Sequence, residues 1–361
     1  MRKQITIMKK VSGILRVKND SKFIPDCIES CIDALDELII VHNDCTDNSP
    51  LVIERMREQY PDKIKVFEYP YKVYGAGLTK EEYDYACSLP DDSPHLLCNY
   101  YNFALSKVTS DYAMKIDADQ FYFPDVLHKW CDIARGEELA MPGNRLIGFL
   151  FHYYLLLYRF ISIKLNRRIR ILPSWLSQKM RCHYEQFAVT QFKKGKACLS
   201  FSGINLIKSD SWYVPLGRIT PEINILPPFN GETDHLLFKV DNARTHYRKF
   251  TMNYYNVLSN SSYSLIEEFV HPYKTMFVGF CWYHMNALRP AYSPRYDIAV
   301  NKYPTAFLPL TDLPTTEFKT IEKVADKRVF SLFQRLLFSY IFETDKISLT
   351  KYIPFITETD D

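Results

Sequence analysis

Apolar and polar positions in the first third of the chain follow two alternating periods. Short aliphatic and β-branched runs at 11–17 (VSGILRV), 37–43 (ELIIVHN), 63–69 (KIKVFEY) and 111–117 (DYAMKID) predict strands. The apolar stretch of the second run is continuous, as expected for a strand buried on both faces. Between these runs, 23–35, 49–60 and 95–108 carry apolar residues at helical spacing. Pro25 falls in the first turn of the first helix, and Ser49 and Pro50 open the second as N-cap and first helical residue. The polar, Tyr-rich stretch 71–94, broken by Gly75, Gly77, Pro90 and Pro94, reads as a long loop or insertion. A strand–helix alternation of this kind predicts an α/β fold with a mostly parallel, doubly wound, Rossmann-like sheet.

Beyond residue 145 the pattern changes. The run 146–163 (LIGFLFHYYLLLYRFISI) has about the length needed to span a bilayer, yet His152 and Arg159 lie inside it and Lys164, Arg167, Arg168 and Arg170 follow. An aromatic, apolar segment with a basic flank reads as an interfacial anchor or as a buried helix with a solvated basic end. Strand character resumes at 196–213 and 228–249, and 327–342 has apolar residues at helical spacing with Arg328 and Arg335 among them.

Composition narrows the function classes. With 45 Lys and Arg against 42 Asp and Glu, the net charge of +3 argues against a generally basic nucleic-acid coat, and no nucleic-acid partner is expected. Nine cysteines without a CxxC pair point away from zinc knuckles and thioredoxin-like chemistry and suit a reducing, cytoplasmic setting. No signal-peptide pattern is seen at the N-terminus.

In open parallel sheets ligands bind beyond the carboxyl ends of the strands. Two polar clusters fall there: HNDCTDNS (42–49) after the second strand and DADQ (117–120) after the fourth. Neither a GxGxxG nor a GxxxxGK[ST] motif is present, which weakens dinucleotide and P-loop readings. Asp117 and Asp119 stand two apart at a strand end, so continued strand geometry would turn both carboxylates to one side. Paired carboxylates repel unless a proton or cation joins them, and oxygen-only ligands suit Mg²⁺ or Mn²⁺. A solvated turn without metal is the plainer alternative.

The order GILRVKND, ELIIVHNDCTDNSP, NYYNFALSKVTSDYAMKIDADQFYFPD, FSGINLI and GETDHLLF, over roughly residues 11–250, resembles nucleotide-sugar glycosyltransferases of the GT-A fold, nearest the family-2-like bacterial enzymes. The resemblance implies a catalytic domain over 1–255, with a nucleotide-binding half (1–120) and an acceptor-side half (121–255) that carries the apolar and basic insert 145–175. A mainly helical extension over 256–361 would dock on a membrane or partner.

The resemblance also implies roles. Asp117 and Asp119 would hold the cation, Mn²⁺ or Mg²⁺, on the donor diphosphate and contact the ribose, with Asp119 the better candidate for direct metal contact and His246 as a further ligand. Arg16 to Asn19 would approach the nucleoside. Asn43 or Asp44 would contact the base, since His42 and Asn43 replace the two adjacent acids of the commoner pattern. Gly203 would form a loop beside the donor sugar. Asp234, with Glu232 as rival, would be the general base of an inverting displacement. The implied activity is transfer of a sugar, UDP-linked by preference, to a hydroxyl of a glycan or glycolipid, of the kind that builds surface polysaccharide or lipooligosaccharide. The implied location is the cytoplasm, at the inner face of the membrane, touching it through 146–170 and 327–342.

Three rival readings are weaker. An aspartyl phosphatase wants DxDx[TV], whereas Phe121 stands at the last place. A sugar nucleotidyltransferase usually has a glycine- and Lys/Arg-rich N-terminal phosphate loop. A carbohydrate-binding protein that kept the fold and lost activity would differ in turnover, not in donor binding.

Overall fold

The computed structural model describes residues 8–75, 77–137, 142–165, 174–217, 225–230, 235–250, 263–317 and 341–352. The chain forms two compact units, Met1–Leu139 with Leu236–Lys274, and Ala140–His235 with Thr275–Asp361. The division expected at 120 and 255 follows sequence order, whereas each unit draws on two separate stretches.

The first unit opens with β1 (Val11–Val17), α1 (Ile24–Cys31), β2 (Glu37–His42), α2 (Ser49–Gln59), β3 (Ile64–Glu68), α3 (Lys80–Ser88), α4 (Leu97–Ser106), β4 (Tyr112–Asp117), β5 (Gln120–Tyr122) and α5 (Pro124–Arg135). The four long strands are parallel in the order β3-β2-β1-β4, the mostly parallel α/β layer expected of a GT-A domain. β1, β2 and β4 are buried along almost their whole length, which explains their unbroken apolar runs. The stretch 71–94, expected as a loop, is partly helical. It contains α3, opened by a capping box in which the Glu82 N–H donates to Thr79 Oγ1 at 3.2 Å and the Thr79 N–H to Glu82 Oε2 at 3.3 Å.

The amino ends of the strands are tied by two acids, the buried Glu37 and the half-buried Asp36. Glu37 accepts from Ser12, Thr109 and Ser110 and pairs with Lys65, so one carboxylate joins β1, β2, β3 and the turn before β4. These hydrogen bonds outweigh the desolvation that would raise its pKa and hold it at about 2. Asp36 accepts from the Val11 N–H and pairs with Arg135, fastening α5 beneath β1.

The second unit begins with α6 (Arg145–Leu165), within the predicted 145–175 insert, and α7 (Ser174–Lys193), which runs well beyond it. The two helices meet closely: a Cβ on Gly148 would lie 1.9 Å from the His183 carbonyl oxygen. Next come β6 (Ala197–Asn205), β7 (Ile207–Lys208) and β8 (Trp212–Pro215). The chain then returns to the first unit with β9 (His235–Lys239), antiparallel to β4, and the ribbon β10 (His246–Phe250) and β11 (Ile266–Val270), which covers α4.

The second unit closes with β12 (Lys274–His284), α8 (Ser293–Lys302) and β13 (Phe307–Pro309). β12 lies beside β6, and β13, β8 and β7 form a small antiparallel sheet. The stretch beyond 256 thus carries strands as well as helices. Apart from Ile341 and Phe342, both buried, the segment 327–342 lies outside the described residues. Among the described residues no helix is long and apolar enough to cross a membrane.

Candidate active site

Arg16, Asn19, Asn43, Asp44 and Asp117, all predicted from the sequence, lie at or just beyond the carboxyl ends of β1, β2 and β4. In the β1–β4 register Arg16 stands beside Asp117, so their side chains share one side of the sheet. Arg16 Nη2 donates to Asp117 Oδ1 at 3.3 Å, and Lys115 Nζ lies 3.2 Å from Asp117 Oδ2. Both carboxylate oxygens thus face buried cations, while Asp117 itself is 24% exposed. The Arg16 guanidinium lies over the Tyr101 ring, 3.0 Å from its centroid. Burial pushes the Tyr101 hydroxyl pKa well up, so the ring is a neutral platform.

Lys115 was legible in the sequence only as a polar residue in an otherwise apolar buried strand, two before Asp117. Tyr101, Trp282 and Tyr283 are all buried. Asp119 does not continue the strand. β4 ends at Asp117, a turn carries Ala118 and Asp119, and β5 begins at Gln120. Strand alternation therefore does not apply to the pair; the turn decides where Asp119 points. Tyr122 fixes that turn: its hydroxyl donates to Gln120 Oε1 at 2.6 Å and accepts from the Asp117 N–H at 3.3 Å.

The loops after β1 and β2 are zipped to each other. Asn19 and Asp44 both adopt the left-handed region, with φ of 59° and 45°, which Asn and Asp tolerate better than most residues. Asn19 exchanges hydrogen bonds with Thr46, and Lys18 pairs with Asp44. Asp47 accepts from the N–H groups of Ser21 and Ser49; with the serine side chains, these bonds prevail over desolvation and hold its carboxyl at about 2. Asn43 is buried, and its amide nitrogen donates to the carbonyls of Tyr69 and Tyr71 at 2.7 and 2.6 Å. Its orientation is thereby fixed with Oδ1 left as an unmatched buried acceptor. Arg16 Nε and Gln120 Nε2 are likewise buried donors without a partner. Three unmet polar atoms thus belong to residues near the end of β1, just after β2 and just after the turn that ends β4, whereas both oxygens of Glu37 at the opposite end are satisfied. Buried polar groups are normally paired, so this asymmetry marks the end where a ligand would supply partners.

His246 does not join the two aspartates. On β10, Tyr247 turns toward α4 and Tyr101, and alternation leaves His246 exposed on the other face of the ribbon. Among the described residues no three His, Cys, Asp or Glu side chains group closely enough to hold a metal ion. Asp117, whose two oxygens face Arg16 and Lys115, and the buried Asp119 are the carboxylates left as candidate ligands of a Mg²⁺-type ion, which is bound by one or two carboxylates and completed by substrate phosphates and water.

In the second unit, Gly203 lies within β6 and not in a loop. A Cβ there would meet Trp282 Nε1 at 1.9 Å, so close packing of the indole requires the glycine. Glu232 and Asp234 lie outside the described residues.

Comparison with known proteins adds an independent finding. A family model described as β-1,4-N-acetylgalactosaminyltransferase (CgtA) matches residues 8–159, which include β1, β2, β4 and the two aspartates. No curated protein matches the chain. Among solved structures, S. aureus TarS 1–349 in complex with UDP-GlcNAc is 19% identical, covering 35% of this chain and 31% of its own, with a TM-score of 0.26. Glucosyl-3-phosphoglycerate synthase from Mycobacterium tuberculosis in complex with Mg²⁺ and UDP is 17% identical, covering 31% of this chain and 34% of its own, with a TM-score of 0.21. The match spans about a third of the length of these structures.

Proposed function

We propose that the chain is a glycosyltransferase that moves a sugar from a nucleotide diphosphate donor, UDP-linked, to a hydroxyl of a glycan or glycolipid. The observation that carries the reading is the set of unmet buried polar atoms and paired charges at the carboxyl ends of β1, β2 and β4. The family match over 8–159 supports N-acetylgalactosamine as the sugar and a β-1,4 linkage as the product.

In this reading the fixed Asn43 Oδ1 accepts a hydrogen bond from a base N–H, as the uracil ring offers. The zipped loops 18–21 and 43–49 present the nucleoside site already formed, which lowers the ordering cost of binding. Arg16 and Lys115 place positive charge beside the diphosphate. Asp117 and Asp119 would hold Mn²⁺ or Mg²⁺ there; when bound, the ion supplies Lewis-acid stabilisation of the leaving diphosphate. Asp234, with Glu232 as its rival, takes the proton of the acceptor hydroxyl. The acceptor oxygen bonds to the anomeric carbon as the bond from that carbon to the diphosphate breaks, with inversion. The surface-glycan role and the cytoplasmic, membrane-apposed location belong to the same proposal.

The test is a panel of nucleotide sugars, read by thermal stabilisation and by Mn²⁺-dependent donor hydrolysis. UDP-N-acetylgalactosamine is expected to raise the melting temperature with metal present. If no nucleotide sugar shifts it, the reading fails.

A further inference from the structure

Helix α6 is apolar on two opposite faces. Gly148, Phe151 and Leu155 turn toward α7 and are buried. Leu146, Leu150, Tyr153 and Leu157, at successive helical turns on the far side, are 63%, 59%, 51% and 57% exposed. A second apolar stripe has no role in the packing of α6 on α7, and a contiguous exposed stripe of this size marks an interaction surface.

Charge identifies the occupant. Residues 140–180, which contain α6, carry seven Lys and Arg and not one Asp or Glu, whereas the other 320 residues carry 38 and 42 respectively; Arg181, next in the chain, is paired with Glu185 and Asp345. The basic excess of the whole chain is therefore concentrated in the segment that bears the exposed stripe, and the remainder is net acidic. Apolar side chains that include a tyrosine, set in a stretch free of acids, complement a surface that is apolar inside and negatively charged outside. A second copy of this chain offers no such complement, because the same basic segment would face itself.

We infer that the outer face of α6 seats the protein in the interface of an anionic lipid bilayer, with Leu146, Leu150, Tyr153 and Leu157 inserted among the headgroups. The helix lies along the surface and does not cross it. This inference deepens the glycolipid-acceptor reading, yet its test needs neither donor nor acceptor.

The test is co-sedimentation of the full chain with vesicles of neutral phosphatidylcholine or of phosphatidylcholine with one third phosphatidylglycerol, at low and high salt. Binding is expected only to the anionic vesicles and should weaken roughly tenfold or more on raising salt from 0.05 to 0.5 M, as screening predicts. The double substitution L150D/L157D is expected to abolish binding. Both positions are exposed, so the melting temperature and the donor-induced stabilisation should be unchanged, which separates this result from failure of the catalytic proposal. Equal binding to neutral vesicles, or retention of binding by L150D/L157D, overturns the inference. So does a concentration-dependent dimer in light scattering that the same double substitution dissolves.

Discussion

Replacing Asp117 by Asn removes one charge and leaves two facing each other. Arg16 and Lys115 approach opposite oxygens of that carboxylate at 3.3 and 3.2 Å, and both cations are nearly inaccessible to solvent. Breaking a buried ion pair by deleting one partner costs about 3–5 kcal/mol. Asp117 is 24% exposed, so water recovers part of that cost and about 2–3 kcal/mol is expected. This corresponds to an unfolding equilibrium about 30- to 150-fold less favourable to the native state. Because the chain has two compact units, a local readout is required: native-state hydrogen exchange of peptides from β1 and β4, across a denaturant series. A cycle with Lys115→Met sharpens the test. The methionine removes one stranded cation, so the double variant should be more stable than the sum of the single penalties predicts, by about 1–2 kcal/mol. A D117N variant within about 0.5 kcal/mol of the parent, or strictly additive penalties, would refute the ion-pair arithmetic. Donor turnover should collapse in D117N regardless, which is why stability is the deciding measurement.

Other expectations are simpler. Glu37→Gln should cost about 2 kcal/mol, since hydrogen bonds to a buried carboxylate are among the stronger ones. Its native pKa of about 2 lies below the ordinary 4.5, so the ionic stabilisation is complete above about 4.5 and is lost as pH falls toward 2; acid unfolding followed by circular dichroism should show that loss in the parent and not in E37Q. Asn43→Asp would set a carboxylate against the Tyr69 and Tyr71 carbonyls, and titration calorimetry should show UDP affinity reduced at least tenfold while the fold survives. Thr79→Ala removes the cap of α3 and should lower stability by about 1 kcal/mol with turnover unchanged. Gly203→Ala should unfold the second unit or displace Trp282, visible as a changed tryptophan emission spectrum.

The sheet was legible because burial on both faces writes itself as uninterrupted apolar runs, and β1, β2 and β4 lie within one residue of the predicted spans. The helix α3 was hidden because its apolar content is low and the glycines and prolines around it suggested a loop. Its capping signal, Thr79 followed three residues later by Glu82, was present in the sequence all the same. Asp117 and its place at a strand end followed from the pattern, but its partner Lys115 did not, since a lysine within an apolar strand has no intrinsic meaning until register sets it beside a carboxylate. His246 shows the opposite failure. Spacing along the chain suggested a ligand, and ribbon alternation turned the side chain to solvent.

The two ends of the first unit's sheet show why position alone was informative. At the amino ends, both oxygens of Glu37 are engaged by hydroxyls, an N–H group and a basic side chain, and Asp36 Oδ2 accepts from the Val11 N–H and pairs with Arg135, all supplied by the fold itself. Such closure favours stability and leaves nothing to offer a ligand. At the carboxyl ends, the same backbone directions force the chain into left-handed turns at Asn19 and Asp44 and leave Arg16 Nε, Asn43 Oδ1 and Gln120 Nε2 without partners. An unmatched buried polar group costs about 1–3 kcal/mol, so three of them at these strand ends are sustained only where something else completes them or where stability is given up for function. A base with an N–H donor and a doubly charged phosphate chain is the kind of molecule whose polar groups answer these atoms. Adding UDP should therefore slow exchange at the amides of 16–20 and 43–47 first, and stabilise the amino-end network around Glu37 only through the global equilibrium. Uniform protection along β1 and β2, with no excess at their carboxyl ends, would show that the unmet atoms are not the binding site.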